Sequence, residues 1–222
     1  MKNKEQKDFM KTRLENELST NQKDTIKTFE VLIKCFEAHI KYYNGSAKEI
    51  KKIKHNLKSV SKNSNLVSEE VIKLISLYTP MSTKLIEASI YMVTASKMKE
   101  IIRKANMIII DSEHMLENEF IDKTIMASMQ EHTISVFKDT IQVLKNIKFK
   151  DKTQERYENA RLQVRENEKK FQKQKNDCLK KAKKDLQFKS YLELILYLQA
   201  LNDIEYLCLA IISYINKNSY RL

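Results

Sequence analysis

Glycine and proline are almost absent. Gly45 and Pro80 are the only two in 222 residues, where average usage would supply about 15 and about 11. Turn-rich β architectures and α/β crossovers depend on those residues, so an all-α fold is expected. The same lack removes Gly-rich phosphate cradles, P-loops and nucleophile elbows. With no protease signature either, no enzymatic activity is expected. Cysteine is scarce too: Cys35, Cys178 and Cys208 are odd in number and lack metal-ligand spacing, which argues against a disulfide framework and for a reducing, cytoplasmic setting.

Long apolar runs are also missing. The N-terminal "MKNKEQKDFMKTRLENE" has no signal core, and the longest charge-free apolar run near the C-terminus covers 206–216, short of the roughly 20 residues that span a bilayer. A bundle-type dimetal centre would need Glu three residues before His. None of His39, His55, His114 and His132 has one, and Asp111 with His114 is too small a set. No metal and no cofactor are expected.

What is abundant is charge. The net of +12 divides into +7 for 1–65, −3 for 66–140, +9 for 141–190 and −1 for 191–222. Positive potential concentrated in two regions points to an anionic partner. The most cationic stretch, "KKFQKQKNDCLKKAKKD" (169–185), leads straight into the greasiest, "YLELILYLQALNDIEYLCLAIISYI" (191–215).

Apolar spacing in steps of three and four predicts three long helices. The first, about 8–62, carries the seam Ile26, Phe29, Ile33, Phe36, Ile40, Tyr43, Ala47, Ile50, Ile53, Leu57 and Val60, with Gly45 off the seam. The polar run "SKNSNLVSEE" then offers a break, with Ser68 as N-cap. The second helix, about 68–148, is expected to kink near Pro80. A turn near 147–152, with Asn146 as stop and Asp151 or Thr153 as N-cap, leaves a third helix at about 152–219. From Tyr191 to Ile215 this last helix is apolar on nearly every side and must be covered all round. With no further segment to cover it, a second copy is the expected source. That homodimer interface draws on Ile33, Phe36, Ile40 and Tyr43 of the first seam and on Leu194, Leu198, Leu201, Tyr206, Leu209 and Ile212.

On an ideal helix Arg161, Arg165, Lys169, Lys173, Lys180 and Lys184 occupy one face, and Val164, Phe171, Cys178 and Ala182 the opposite one. The segment therefore keeps an apolar stripe for packing and presents a continuous cationic face.

A heptad helix, an early proline kink in a long second helix, a basic arm and the closing "LNDIEYLCLAIISYINKNSY" together resemble a BAR domain, the dimeric module that binds curved membranes. The opening "TRLENELSTNQKDTIKTFEVLIKCFEAHIKYYNGSAKEI" is similar to the type that precedes pleckstrin-homology domains in Arf GTPase-activating proteins. The resemblance implies an elongated antiparallel coiled-coil bundle, crescent-shaped as a homodimer. Its six-helix centre would come from two protomers, and anionic phospholipid would meet the arms. Carried over by region, the lipid-facing residues are Lys145, Lys148, Lys150, Lys152 and Arg156 near the turn, and Arg161, Arg165, Lys169, Lys170, Lys173, Lys180 and Lys184 along the arm. Phe9, Met10, Leu14 and Leu18 are read as an extension of helix 1, not as a membrane wedge. The competing reading is a helical scaffold without lipid affinity, with a small GTPase as partner, as for some relatives of that family. Nucleic acid is not an expected partner, because Phe149, Tyr157 and Phe171 are the only stacking rings between 141 and 187.

Overall fold

In a computed structural model the chain forms six α-helices: α1 Lys2–Tyr43, α2 Lys48–Tyr78, α3 Ser82–Leu116, α4 Lys123–Lys145, α5 Lys150–Ala182 and α6 Phe188–Ser219. The structure describes residues 2–43, 48–78, 82–116, 121–182 and 188–222; side chains at 2–11, 48–50, 63–64, 78, 82, 110–111, 113–114 and 116 are outside that description. Among the described residues there is no β-strand. The all-α expectation holds. The three-helix expectation does not.

Two of the differences concern where helices break. The seam of 26–60 belongs to two helices, α1 and α2, which are joined by four residues and pack along each other, so the chain reverses there. A heptad seam has the same spacing whether it continues or folds back on itself. Conversely, the polar run around Ser68 lies inside α2. Ile53, Leu57, Val60, Val67, Val71 and Leu74 are all buried at heptad spacing across it, and continuous burial outweighs the few tenths of a kcal/mol that each Ser or Asn costs a helix. Pro80 and Gly45 lie outside the described residues, and with them the expected kink.

The expected second helix is three, α2 to α4. Asp122 caps α4, its carboxylate accepting from the Thr124 amide at 2.9 Å. The stop at Asn146 is as expected, with its amide donating to the Val143 carbonyl at 3.1 Å. Neither Asp151 nor Thr153 is the next N-cap. The Thr153 amide already donates to the Phe149 carbonyl at 3.0 Å, so α5 starts earlier. The expected third helix is two, α5 and α6.

Packing follows from which helices touch. α1, α3, α6 and α4 form a four-sided core in that cyclic order; α2 lies against the α1–α3 side and α5 against the opposite α4–α6 side. Side-chain pairs give the directions. Gln22 meets Leu144 while His39 meets Gln130, so α1 and α4 are antiparallel. Ser89 meets Tyr214 while Lys104 meets Asp203, so α3 and α6 are antiparallel. Thr153 meets Ser219 while Asn167 meets Glu205, so α5 and α6 are too.

The greasy α6 is therefore covered by α3, α4 and α5 of its own chain, which corrects the premise that no other segment was left to do so. Leu198, Leu201, Ile204, Cys208, Ile211, Ile212 and Ile215 are fully buried there. α6 is also the one helix among the described residues long and apolar enough to cross a membrane by length and composition. In the bundle that composition serves the core. Phe137 of α4 is clasped by Phe29 and Phe36 of α1, with ring centroids 5.7 and 5.5 Å away.

Two polar clusters interrupt this core. His39 Nε2 lies 2.6 Å from Ser112 Oγ, and Nδ1 lies 2.7 Å from Gln130 Nε2. The Tyr43 hydroxyl is 3.2 Å from the same Nδ1 and 2.6 Å from the Tyr197 hydroxyl. A neutral His39 with its proton on Nε2 fits these contacts: it donates to Ser112 and accepts at Nδ1. Burial agrees, pushing its pKa down to about 3. In the second cluster the fully buried Glu205 carboxylate accepts from Thr133 Oγ1 at 3.0 Å and Asn167 Nδ2 at 2.9 Å. Burial raises its pKa to about 7 against the opposing pull of Asn167, Thr133 and Lys170.

The two groups titrate with opposite consequences for stability. Glu205 binds its proton more tightly when folded, so the stability it contributes is present in acid and is lost as pH rises from about 4.5 through 7. His39 binds its proton more weakly when folded, so its contribution is lost as pH falls from 6.5 towards 3. Glu205→Gln keeps an acceptor for Asn167 and lets Thr133 turn its hydroxyl proton to the Met129 carbonyl, 3.2 Å away. We expect Glu205→Gln to be more stable than the parent at pH 8, by at most about 3 kcal/mol, with the gain vanishing near pH 5. Denaturant melts of both proteins across that range check this; a pH-independent difference would show that Glu205 does not titrate in the core.

Candidate anionic-surface interface

α5 is the most polar helix, and its buried side is narrow. Val164, Phe171, Cys178 and Ala182 are buried, as their spacing predicts, together with Ala160 and Asn167. On the opposite side Arg165, Lys169, Lys173 and Lys180 are exposed and Arg161 is half-exposed. The helix carries eleven basic and six acidic side chains, a net of +5. Its C-terminal turn holds Lys180 and Lys181, where positive charge complements the helix dipole.

The expected lipid-facing residues separate by what they touch. Several are already engaged. Arg156 reaches Asp139 at 3.2 Å, Arg161 reaches Glu158 at 3.3 Å, Lys148 reaches Glu87 at 3.8 Å and Lys180 reaches Asp177 at 3.9 Å. Lys152 lies over the Phe149 ring at 5.0 Å. Lys170 points back towards α4: its Nζ is 3.0 Å from His132 Nε2, and its charge lowers the pKa of both His132 and the buried Glu205. Arg165, Lys169 and Lys173 are different, since among the described residues none of them forms an ion pair. Lys145 and Lys150 are exposed at the α4–α5 corner. Lys184 lies outside the described residues.

The expected dimer residues are spent inside one chain. Ile33, Phe36, Tyr43, Leu194, Leu198, Leu201 and Ile212 are buried in the single bundle. Ile40 and Leu209 are half-buried, and only Tyr206 is exposed, its hydroxyl donating to Glu168. Leu14 and Leu18 are buried, in keeping with an extension of helix 1.

Two features escaped the reading of spacing. One is the pair of polar clusters, because His39 and Glu205 are single polar residues within apolar stretches and nothing local marks their partners. The other is a groove of about 390 Å³ between α3 and α6. Met107, Ile108, Met115, Leu196 and Tyr197 line it, and the Lys104–Asp203 ion pair at 2.7 Å stands beside them. Phe188, Leu192 and Leu196 form an exposed stripe at four-residue steps on α6. Among the described residues no group of three or more His, Cys, Asp or Glu is placed to hold a metal.

The division of the cations into free and engaged sets has a direct consequence for stability. The triple variant Arg165→Glu, Lys169→Glu, Lys173→Glu is expected to change stability by no more than about 0.5 kcal/mol, as for surface positions generally. Arg156→Ala is expected to cost about 1 kcal/mol, because it strips the partner from the half-buried Asp139. Thermal melts by circular dichroism compare them; a triple variant that melts far below the parent would place the three side chains in the packing and not on its surface. No protein-family model matches the chain, and no curated protein matches it.

Proposed function

We propose that this protein is a peripheral binder of anionic membrane surfaces and that the outer face of α5 is the contact. The observation that carries the reading is the run Arg165, Lys169 and Lys173: three exposed cations without ion pairs among the described residues, spread over about 12 Å of one helix face. The opposite face of that helix is locked into the bundle by Val164, Phe171 and Cys178, so the backbone that carries the charges is already in place. At about 1 kcal/mol per basic residue near an anionic surface, they supply about 3 kcal/mol, with Lys145 and Lys150 adding to it. Binding of this kind needs no insertion and is screened by salt.

The total accessible surface of 12832 Å² exceeds the roughly 10,600 Å² of a compact monomer of this mass. An elongated bundle with α5 along one side suits a flat or gently curved sheet of headgroups. The resemblance to BAR domains supports the lipid chemistry more than the arch, because six helices already lie within one chain. A crescent-shaped homodimer would have to form from surfaces other than the buried seam of α1 and core of α6.

A second reading, a helical scaffold, is favoured by the α3–α6 groove and the exposed Phe188, Leu192 and Leu196 beside it. A second copy of the chain or an amphipathic helix would dock there.

Sedimentation with phosphatidylserine-containing and neutral vesicles, at low and high salt, tests the first reading. The protein is expected to pellet only with the anionic vesicles, to be released by salt, and to lose at least about tenfold in affinity in the Arg165→Glu, Lys169→Glu, Lys173→Glu variant. Equal pelleting with neutral vesicles, or affinity unchanged by the reversal, would overturn it.

A further inference from the structure

α5 is not the only helix that carries an exposed basic stretch. The first half of α2, residues 48–62, carries six lysines and one glutamate. Ile53, Leu57 and Val60 are buried against the bundle. On an ideal helix Lys51, Lys58 and Lys62 fall within about 40° of one another, and their mean direction is about 150° from that of the buried seam. All three are exposed, as is Lys52 beside them. Among the described residues none of these four lysines forms an ion pair. The arrangement repeats that of α5: an apolar stripe faces the core and an unpaired cationic stripe faces solvent.

The position of α2 in the bundle gives the repetition its meaning. α2 lies on the α1–α3 side of the core and α5 on the opposite α4–α6 side, so their outer faces point away from each other. They also share one end of the bundle. α2 begins next to the C-terminus of α1, where Tyr43 and His39 meet Tyr197 and Gln130; the Arg165–Lys173 part of α5 lies level with His132 and Glu205, in the same half. Four helix layers with three spacings of 8–10 Å put the α2 and α5 axes about 27 Å apart, and the outer surfaces about 40 Å apart. A single flat bilayer that touches one stripe cannot touch the other.

We infer that the protein tethers two anionic lipid bilayers, one on the α5 face and one on the α2 face, with the bundle as a spacer of about 40 Å. This rests on the reading of α5 as the lipid-binding face. Charge complementarity favours lipid headgroups over nucleic acid, since the only ring in 48–62 is His55 and a single-stranded nucleic acid needs aromatic platforms. α2 offers fewer cations than α5 with its corner residues, so it is the weaker of the two faces. The affinity for isolated vesicles is set by α5, and α2 makes the second contact.

The experiment uses the full chain with vesicles of about 30% phosphatidylserine, following pelleting and light scattering in parallel. The parent protein is expected to pellet with vesicles and to cluster them. Lys51→Glu, Lys58→Glu, Lys62→Glu is expected to pellet within about twofold of the parent while scattering falls to that of vesicles alone. Pelleting without clustering by the parent, or clustering untouched by the α2 reversal, overturns the tether and leaves the α5 reading standing. Absence of pelleting by the parent overturns both. If the α2 reversal abolishes capture of a single-stranded RNA oligonucleotide and spares clustering, α2 is a nucleic-acid surface and the tether is wrong.

Discussion

The burial of α6 is the constraint on which the bundle depends. A helix with Leu198, Leu201, Ile204, Cys208, Ile211, Ile212 and Ile215 all withdrawn from water needs neighbours on several sides at once. α3, α4 and α5 supply them. α3 and α4 bring apolar faces of their own, which α1 covers, and α2 closes the remaining side along its heptad seam. Each helix thus has a place because the one before it left a face unsatisfied. The basic faces of α2 and α5 are what remains outside once that covering is complete.

Apolar burial alone would leave helices free to slide along one another, since any of several registers buries similar area. The polar clusters remove that freedom. His39, Ser112, Gln130, Tyr43 and Tyr197 come from four different helices, α1, α3, α4 and α6. A slip of one turn would strand several buried donors and acceptors at a cost of about 1–3 kcal/mol each. Glu205 ties α6 to α4 and α5 in the same way.

Much of the helix content and of the α5 surface was legible in the sequence; the path of the chain was not. One glycine and one proline were enough to exclude sheets, and the wheel of 161–184 separated the buried Val164, Phe171 and Cys178 from the exposed Arg165, Lys169 and Lys173. Asn146 marked a true helix end. Periodicity carries no sign of direction, however, so the seam of 26–60 read as one helix when it belongs to two packed side by side. The composition of 61–70 suggested a break where heptad burial from Val60 to Val67 keeps α2 whole. The cap at Asp122 was missed because it sits inside an otherwise apolar-periodic stretch. Tertiary cover decided these cases, and a single sequence does not display it. The expected dimer rested on the same reading, for three helices leave the centre of α6 bare, whereas α3, α4 and α5 cover it here.

The central claim is that one chain covers α6 by itself. Hydrogen exchange of the α6 amides, measured over a wide range of protein concentration in solution, tests it most directly. The account predicts strong protection across 194–215 that does not change on dilution. Protection that disappears as the protein is diluted would show that a second copy supplies the cover, and the six-helix bundle of a single chain would be wrong.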